Sequence, residues 1–234
     1  YALNTENSGA DGCVAIGYKA LQDQNVDGAG NTAIGHQAAL NLTTGQYSTY
    51  VGYESGGSGV ITGNENTCLG YASGKDLTSG TANVFLGKDA GENVTTGSYN
   101  IAIGVNTMEA AVTSNQGCIA IGHQALKTEA SSADHCIAIG YEALKTQNAD
   151  VVNMAIGSYA GDAITDGECN TLIGYVSGTA QSSASDNTGC GYAALQSVTG
   201  SNNTAFGSQA LDNVVAGTDN TAVGAFAMRS ADGE

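Results

Sequence analysis

Tyrosine and histidine are the side chains best suited to binding chemistry, because they recur at one position of a repeat. Aromatic rings in one row can pack on one another or across a subunit boundary, or they can stack on a sugar-like receptor. We predict a packed ladder, with a receptor-contact stripe as the sharper alternative. Single imidazoles on distant repeats supply no ligand set, so we expect no metal and no cofactor. The row contains Tyr18, His36, Tyr53, Tyr71, His123, Tyr141, Tyr175 and Tyr192.

The six cysteines are the next candidates for chemistry. No Cys-x-x-Cys pair occurs, which argues against a zinc or redox centre. Cys118 and Cys136 share a row on consecutive repeats, so their Cα atoms should lie about 4.8 Å apart, inside the usual disulfide range. Side chains of one row point the same way, however, and a bond between them would be strained. We expect mostly reduced, buried cysteines, with Cys118–Cys136 as the one candidate intrachain disulfide.

Catalytic motifs are not found in the sequence. It contains no Gly-x-Ser-x-Gly, no Walker-type phosphate loop and no His-Glu-x-x-His. Carboxylates are scattered over turn positions without the fixed offset of a calcium-binding repeat. Paired carboxylates do not recur, which disfavours a polysaccharide-cleaving enzyme. We therefore predict a protein that is not an enzyme.

A regular glycine repeat must position these side chains. An apolar residue precedes glycine thirteen times, at intervals of 16 to 18 residues, most of them 17 or 18. A short fixed period is typical of a solenoid, in which each repeat buries its apolar face against its neighbours. We predict an all-β, parallel β-solenoid of about thirteen coils that forms one repeat domain over residues 1–234. The glycines are Gly17, Gly35, Gly52, Gly70, Gly87, Gly104, Gly122, Gly140, Gly157, Gly174, Gly191, Gly207 and Gly224.

Three rows of side chains precede this glycine in each predicted strand. The residue directly before it and the residue two positions earlier share one face, because strand side chains alternate. We expect the row directly before it, Ile16 through Val223, to fill the coil interior. The row between them is mostly alanine, as at Ala102, Ala120 and Ala138. It should pack on another layer, for which we favour neighbouring chains over the opposite wall of the same coil.

A row of asparagines lies four positions before the glycine. Stacked asparagine amides can bond from coil to coil and can satisfy the backbone groups of turns. We interpret the row as a structural ladder, in which cysteine or serine replaces asparagine at four places. Its asparagines are Asn31, Asn66, Asn83, Asn100, Asn153, Asn170, Asn187, Asn203 and Asn220.

Composition narrows the choice of partners. The chain has 22 acidic and 6 basic residues, for a formal charge of -16. Such a surface repels nucleic acid phosphates and anionic lipid headgroups. No apolar run approaches the roughly 18 residues of a membrane-spanning helix. We expect neither a nucleic acid partner nor membrane insertion, and we interpret the chain, which begins near the middle of a repeat, as a segment of a longer protein.

The repeats resemble a known class of fibrous protein. Strings such as Asn31-Thr-Ala-Ile-Gly35-His-Gln-Ala and Cys136-Ile-Ala-Ile-Gly140-Tyr-Glu-Ala-Leu144 are similar to head repeats of trimeric autotransporter adhesins. They are more similar still to related repeats in tail-fibre-type proteins of phages and other viruses. The resemblance runs from about Asn4 to Ala227. It implies a left-handed β-roll with three chains side by side, located outside the cell, on its surface or on a virion.

Two functions remain open at this stage. We favour a structural and attachment segment of a homotrimeric fibre that contacts a host-surface glycan or protein through repeated weak interactions. The alternative is a monomeric surface-binding or ice-binding solenoid, which needs a flat side with regular threonine arrays. The threonine row is interrupted, which disfavours this alternative. The interruptions are Val14, Val84, Ile101, Ile119, Ile137 and Met154.

Overall fold

The computed structural model describes residues 12–24, 29–110, 114–128, 134–148 and 152–229. Within these ranges it is all-β, with a three-residue strand in every repeat and no helix, which confirms the predicted parallel β-solenoid. No helix there has the length and apolarity needed to cross a membrane. The strands are β1 (Val14–Ile16), β2 (Thr32–Ile34), β3 (Thr49–Val51), β4 (Thr67–Leu69), β5 (Val84–Leu86), β6 (Ile101–Ile103), β7 (Ile119–Ile121), β8 (Ile137–Ile139), β9 (Met154–Ile156), β10 (Thr171–Ile173), β11 (Thr188–Cys190), β12 (Thr204–Phe206) and β13 (Thr221–Val223).

The chain divides into two compact units, Tyr1–Cys118 (unit 1) and Ile119–Glu234 (unit 2). Unit 1 contains β1 to β6, and unit 2 contains β7 to β13. Within each unit, consecutive strands pair in parallel and keep equivalent residues side by side; Ala138, for example, is level with Ala155. Both units are built from the same repeat, and a single domain across residues 1–234 remains a prediction.

The interior of each coil is lined by the middle residue of the strand, and our prediction of the inside face is wrong. Ala120 and Ala138 have no solvent exposure, whereas Ile16 is 58% exposed and Phe206 45%. The ladder asparagine also points inward, and it lies two positions before the middle residue. Since side chains alternate along a strand, the glycine-preceding row must point outward.

The alanine row is therefore covered by the opposite wall of its own coil rather than by a neighbouring chain. This wall consists of the residues three and four positions after the glycine. A large residue on this wall faces a small residue of the strand, and the reverse also holds. Leu144 faces Ala138 in one coil, and Gly56 faces Tyr50 in another. A Cβ atom at Gly56 would lie 2.5 Å from the Tyr50 ring. In these coils a large residue on one wall is offset by a small one on the other, the condition under which cores accept substitutions; where Ala155 faces Gly161, Leu172 of the next coil fills the space.

The glycine that sets the period has a steric cause. Gly157 has a φ of +139°, and a Cβ atom there would lie 2.4 Å from the carbonyl oxygen of Gly174 on the next coil. Neither the dihedral angle nor the contact allows a side chain.

The turn after this glycine holds ordinary residues in the left-handed region. Glu142 and Leu144, two and four positions after Gly140, have φ of 56° and 48°. The amide of Glu142 donates to His123 O on one side, and that of Leu144 donates to Ala160 O on the other. Hydrogen bonds to both neighbouring coils therefore hold the turn in a conformation that is unfavourable by itself.

Candidate functional site

The asparagine row forms the ladder that the sequence predicts. In unit 1, Asn83 Nδ2 donates to Asn66 Oδ1 at 3.0 Å and to Gly97 O at 2.8 Å. The same Asn66 oxygen accepts the backbone amide of Asn83 at 3.0 Å. Unit 2 repeats this arrangement from Asn153 to Asn220. The ladder satisfies buried turn carbonyls and leaves its amides engaged inside the coil, so it offers no ligand site.

An apolar face covers the outer side of the strands. We use this name for the two outward strand rows: the first residue and the last residue of each strand. No residue of either row is charged. All the described members are exposed or half-exposed; Leu69, for example, is 42% exposed and Ile173 37%. Monomeric soluble proteins rarely leave a contiguous apolar surface of this kind uncovered.

The aromatic row borders this face and is stacked in unit 1. Ring centroids are 5.2 Å apart for Tyr18 and His36, 4.8 Å for His36 and Tyr53, and 5.4 Å for Tyr53 and Tyr71. The last two pairs are within 7° of parallel. Lys88 Nζ lies 5.8 Å from the Tyr71 centroid, so a cation covers the ring at that end. The coil-on-coil packing predicted for this row is thus observed.

In unit 2 the row is joined by a tyrosine that sequence analysis missed. His123 stacks on Tyr141 at 5.1 Å, and Tyr175 stacks on Tyr192 at 5.8 Å. Tyr159 contacts both Tyr141 and Tyr175 edge-on, at 5.2 and 6.1 Å. Tyr159 lies one position further from its glycine than the other members. The one feature of the sequence that pointed to this exception is Ser158, which puts a serine instead of an aromatic residue directly after the glycine.

Stacking determines what the aromatic row can bind. A ring whose two faces contact neighbouring rings exposes its edge and its hydroxyl group, whereas sugar stacking needs an open face. Hydrogen bonds to Glu54 and Glu142 raise the pKa values of Tyr53 and Tyr141 respectively. These phenols therefore stay protonated at neutral pH, the opposite of what a nucleophile or a base requires.

The cysteines carry free thiols in the structure. Cys118 and Cys136 are buried in the ladder row, and Cys118 N–H donates to Asn100 Oδ1 at 3.0 Å. Gln147 Nε2 donates to the Cys136 sulfur at 2.9 Å. Burial raises the pKa of the Cys68 thiol, so this cysteine is a poor nucleophile. The candidate Cys118–Cys136 disulfide remains a prediction for solution measurement.

Three or more His, Cys, Asp and Glu side chains do not come together as a metal-binding group in the described ranges. Comparison of the chain with protein-family models, with curated proteins and with solved structures finds no match.

Proposed function

We propose that the chain is a structural and attachment segment of a homotrimeric fibre, without catalytic activity, located outside the cell, on its surface or on a virion. The observation that supports this proposal is the exposed apolar face on both units. A surface with this composition, repeated coil after coil, is suited to contact along its length. Such a contact gives a fibre stiffness, because every coil contributes to it.

Copies of the same chain are the occupants that best fit the apolar face. Each copy has a formal charge of -16, so two copies repel each other over most of their surfaces. The two outward strand rows contain no charge, and there like-charged copies can approach at least electrostatic cost. Parallel copies also bring equivalent coils to one level, so that aliphatic side chains meet aliphatic side chains. The resemblance to trimeric adhesin heads and tail fibres supports three copies.

Attachment is assigned to the aromatic row and the polar residues beside it. Tyrosine hydroxyls, ring edges and the carboxylates of Glu54 and Glu142 together offer hydrogen bonds to a host-surface glycan or protein. Three copies would repeat each weak contact and raise the overall avidity. Binding to immobilised host glycans or cell-surface proteins, compared between wild type and Tyr175→Ala, tests this assignment. Equal binding by the two proteins would contradict it.

The mass in solution tests the assembly. Light scattering should give three times the mass of one chain, independent of concentration over the micromolar range. A monomer would contradict the proposal.

A monomeric surface-binding or ice-binding solenoid is the second candidate, and one observation favours it. The first strand row faces outward, so its threonines form a partial array on the outer side of the strands. A monomer that inhibits ice recrystallisation, and that loses this activity in Thr188→Lys, would support this candidate. The array consists of Thr32, Thr49 and Thr67 in unit 1 and Thr171, Thr188, Thr204 and Thr221 in unit 2.

A further inference from the structure

A groove on the surface of unit 2 brings together three side chains that commonly bind metals. It has a volume of about 210 Å³, and His135, Met154 and Cys169 are among the residues that line it. They come from three consecutive coils, those of β8, β9 and β10. The groove follows the border of the apolar face on the side opposite the aromatic row. We propose that it binds one soft monovalent metal ion, of which Cu(I) is the closest match.

The positions of the three donors follow from strand register. Met154 opens β9 and is level with Ile137 on one side and Thr171 on the other. His135 and Cys169 each precede those neighbours by two residues. Their Cα atoms are therefore about two strand spacings apart, roughly 9.6 Å. Val152, whose carbonyl oxygen accepts the Cys169 amide, is level with both on the coil between them, and Met154 lies two residues further along that coil. An imidazole and a thioether are long enough to extend across such a span toward the thiol.

The side chains of His135 and Cys169 are available for a ligand. Both residues are exposed, and no hydrogen bond or ring contact engages either side chain in the described part of the chain. The amide oxygens of the ladder residues that also line the groove are occupied, because Asn153 Oδ1 accepts the backbone and side-chain amides of Asn170, and Asn170 Oδ1 accepts the backbone amide of Asn187. The soft and borderline donors that line the groove are the His135 imidazole, the Met154 thioether and the Cys169 thiol, beside the harder hydroxyl oxygen of Thr171.

This donor set selects among metals. Thiolate and thioether ligands favour soft ions such as Cu(I), whereas calcium, magnesium and manganese require oxygen. No carboxylate is among the described residues that line the groove, and Ile137 and Val152 supply apolar walls. A thiolate neutralises a monovalent ion, so the occupied site carries no net charge next to these walls. A divalent ion would leave a positive charge there at a cost in desolvation.

Binding requires no oxidant or reductant. The Cys169 thiol releases its proton to solvent, a bond forms between its sulfur and the metal, and copper remains Cu(I). The formal charge of -16 raises the local concentration of cations around the whole chain. Met154 also belongs to the first row of the apolar face, so the groove lies at the edge of the surface that the fibre proposal assigns to neighbouring copies.

Anaerobic titration with Cu(I), held by the chromogenic chelator bicinchoninate, tests the site. Wild-type chain should remove one Cu(I) per chain from the chelator. Cys169→Ser, His135→Asn and Met154→Leu should each weaken binding about tenfold or more. Cys190→Ser is the matched control, because it removes another half-exposed thiol from the same unit but outside the groove, and it should bind like wild type. Circular dichroism establishes that each variant is folded.

Three results would overturn the proposal. Wild-type chain that takes no Cu(I) from the chelator would exclude the site. A loss confined to Cys169→Ser, with His135→Asn and Met154→Leu unchanged, would indicate an isolated thiol instead of a three-donor site. Equal competition by Zn(II) would exclude the preference for a soft ion.

Discussion

Ala138 and Ile139 are neighbours in β8, yet their side chains have opposite environments. Ala138 has no exposure, and Ile139 lies half-exposed on the apolar face. Ala138→Asp should lower the free energy of unfolding by about 4 kcal/mol, because it places a charge without a partner inside a narrow coil. Ile139→Asp should retain the fold but convert the trimer to monomers. Thermal unfolding and light scattering measure the two effects.

Both variants introduce the same charge, so any difference between them shows which side chain lies in the coil interior and which lies at the contact between copies. Equal destabilisation by the two substitutions would show that the face assignment is wrong. A trimer that persists in Ile139→Asp would show that copies associate through another surface. The row that contains Ile139 is the one that the sequence led us to expect inside the coil, and the structure reverses that expectation.

Ala193 and Ala194 form a second matched pair of neighbours. Both are buried, but Ala193 has a φ of 52° and belongs to the left-handed turn. Both substitutions remove a buried methyl group and add conformational entropy to the unfolded chain. Only Ala193→Gly also relieves backbone strain. We expect Ala193→Gly to be more stable than Ala194→Gly by about 1 kcal/mol. Chemical denaturation measures the difference, and the reverse order would contradict the strain argument.

At the scale of the element, the ladder asparagines should differ by position. Asn170 donates to Asn153 Oδ1 and Ala184 O and accepts the amide of Asn187. Asn170→Ala leaves several buried polar groups without partners and should cost about 1–3 kcal/mol. Asn220→Ala is the control, since that residue is half-buried directly before the last strand and its replacement should cost less. Similar losses measured by denaturation would argue against a cooperative ladder.

The strand-ending glycines allow an equivalent test. A Cβ atom at Gly157 would lie 2.4 Å from Gly174 O, whereas at Gly224 the nearest heavy atom is 4.0 Å away. Both glycines have φ values forbidden to alanine, so the conformational cost is shared. Gly157→Ala should therefore be less stable than Gly224→Ala by about 1–3 kcal/mol, the usual cost of overpacking. Calorimetry measures both, and equal melting would mean that the coils can separate locally.

The strands and the asparagine ladder could be predicted from the sequence, because both recur at a fixed position of every repeat. The sequence did not identify the inside face, because the rows on the two sides are both free of charge: alanine on one, threonine and aliphatic residues on the other. The signal that identifies the inside face is the two-residue spacing between Asn31 and Ala33, because side chains two positions apart point to the same side of a strand. Tyr159 was missed because its contacts with the neighbouring rings depend on a left-handed backbone conformation that the sequence pattern does not predict.

At the scale of the whole molecule, thiol chemistry reports on redox state and assembly together. Six free thiols are expected under denaturing, non-reducing conditions; four would indicate the Cys118–Cys136 disulfide. In the native protein Cys169 should react rapidly, because it is exposed, whereas the buried Cys68 should not react. Cys190 lies on the apolar face and should be protected in the trimer but reactive in Ile139→Asp. Equal Cys190 reactivity in the two proteins would contradict the proposed contact.

The complementary volumes across the coil interior have a consequence for how such a gene can change. Leu172 fills space left by Gly161 on the preceding coil as well as by Gly178 on its own. Phe85 uses Gly74 and Gly91 in the same way. Duplication or deletion of a single repeat would separate a bulky residue from the glycine that accommodates it. We therefore expect adjacent repeats to be kept together as pairs at these places. Related genes should gain or lose whole repeats elsewhere, in the stretches where alanine faces leucine.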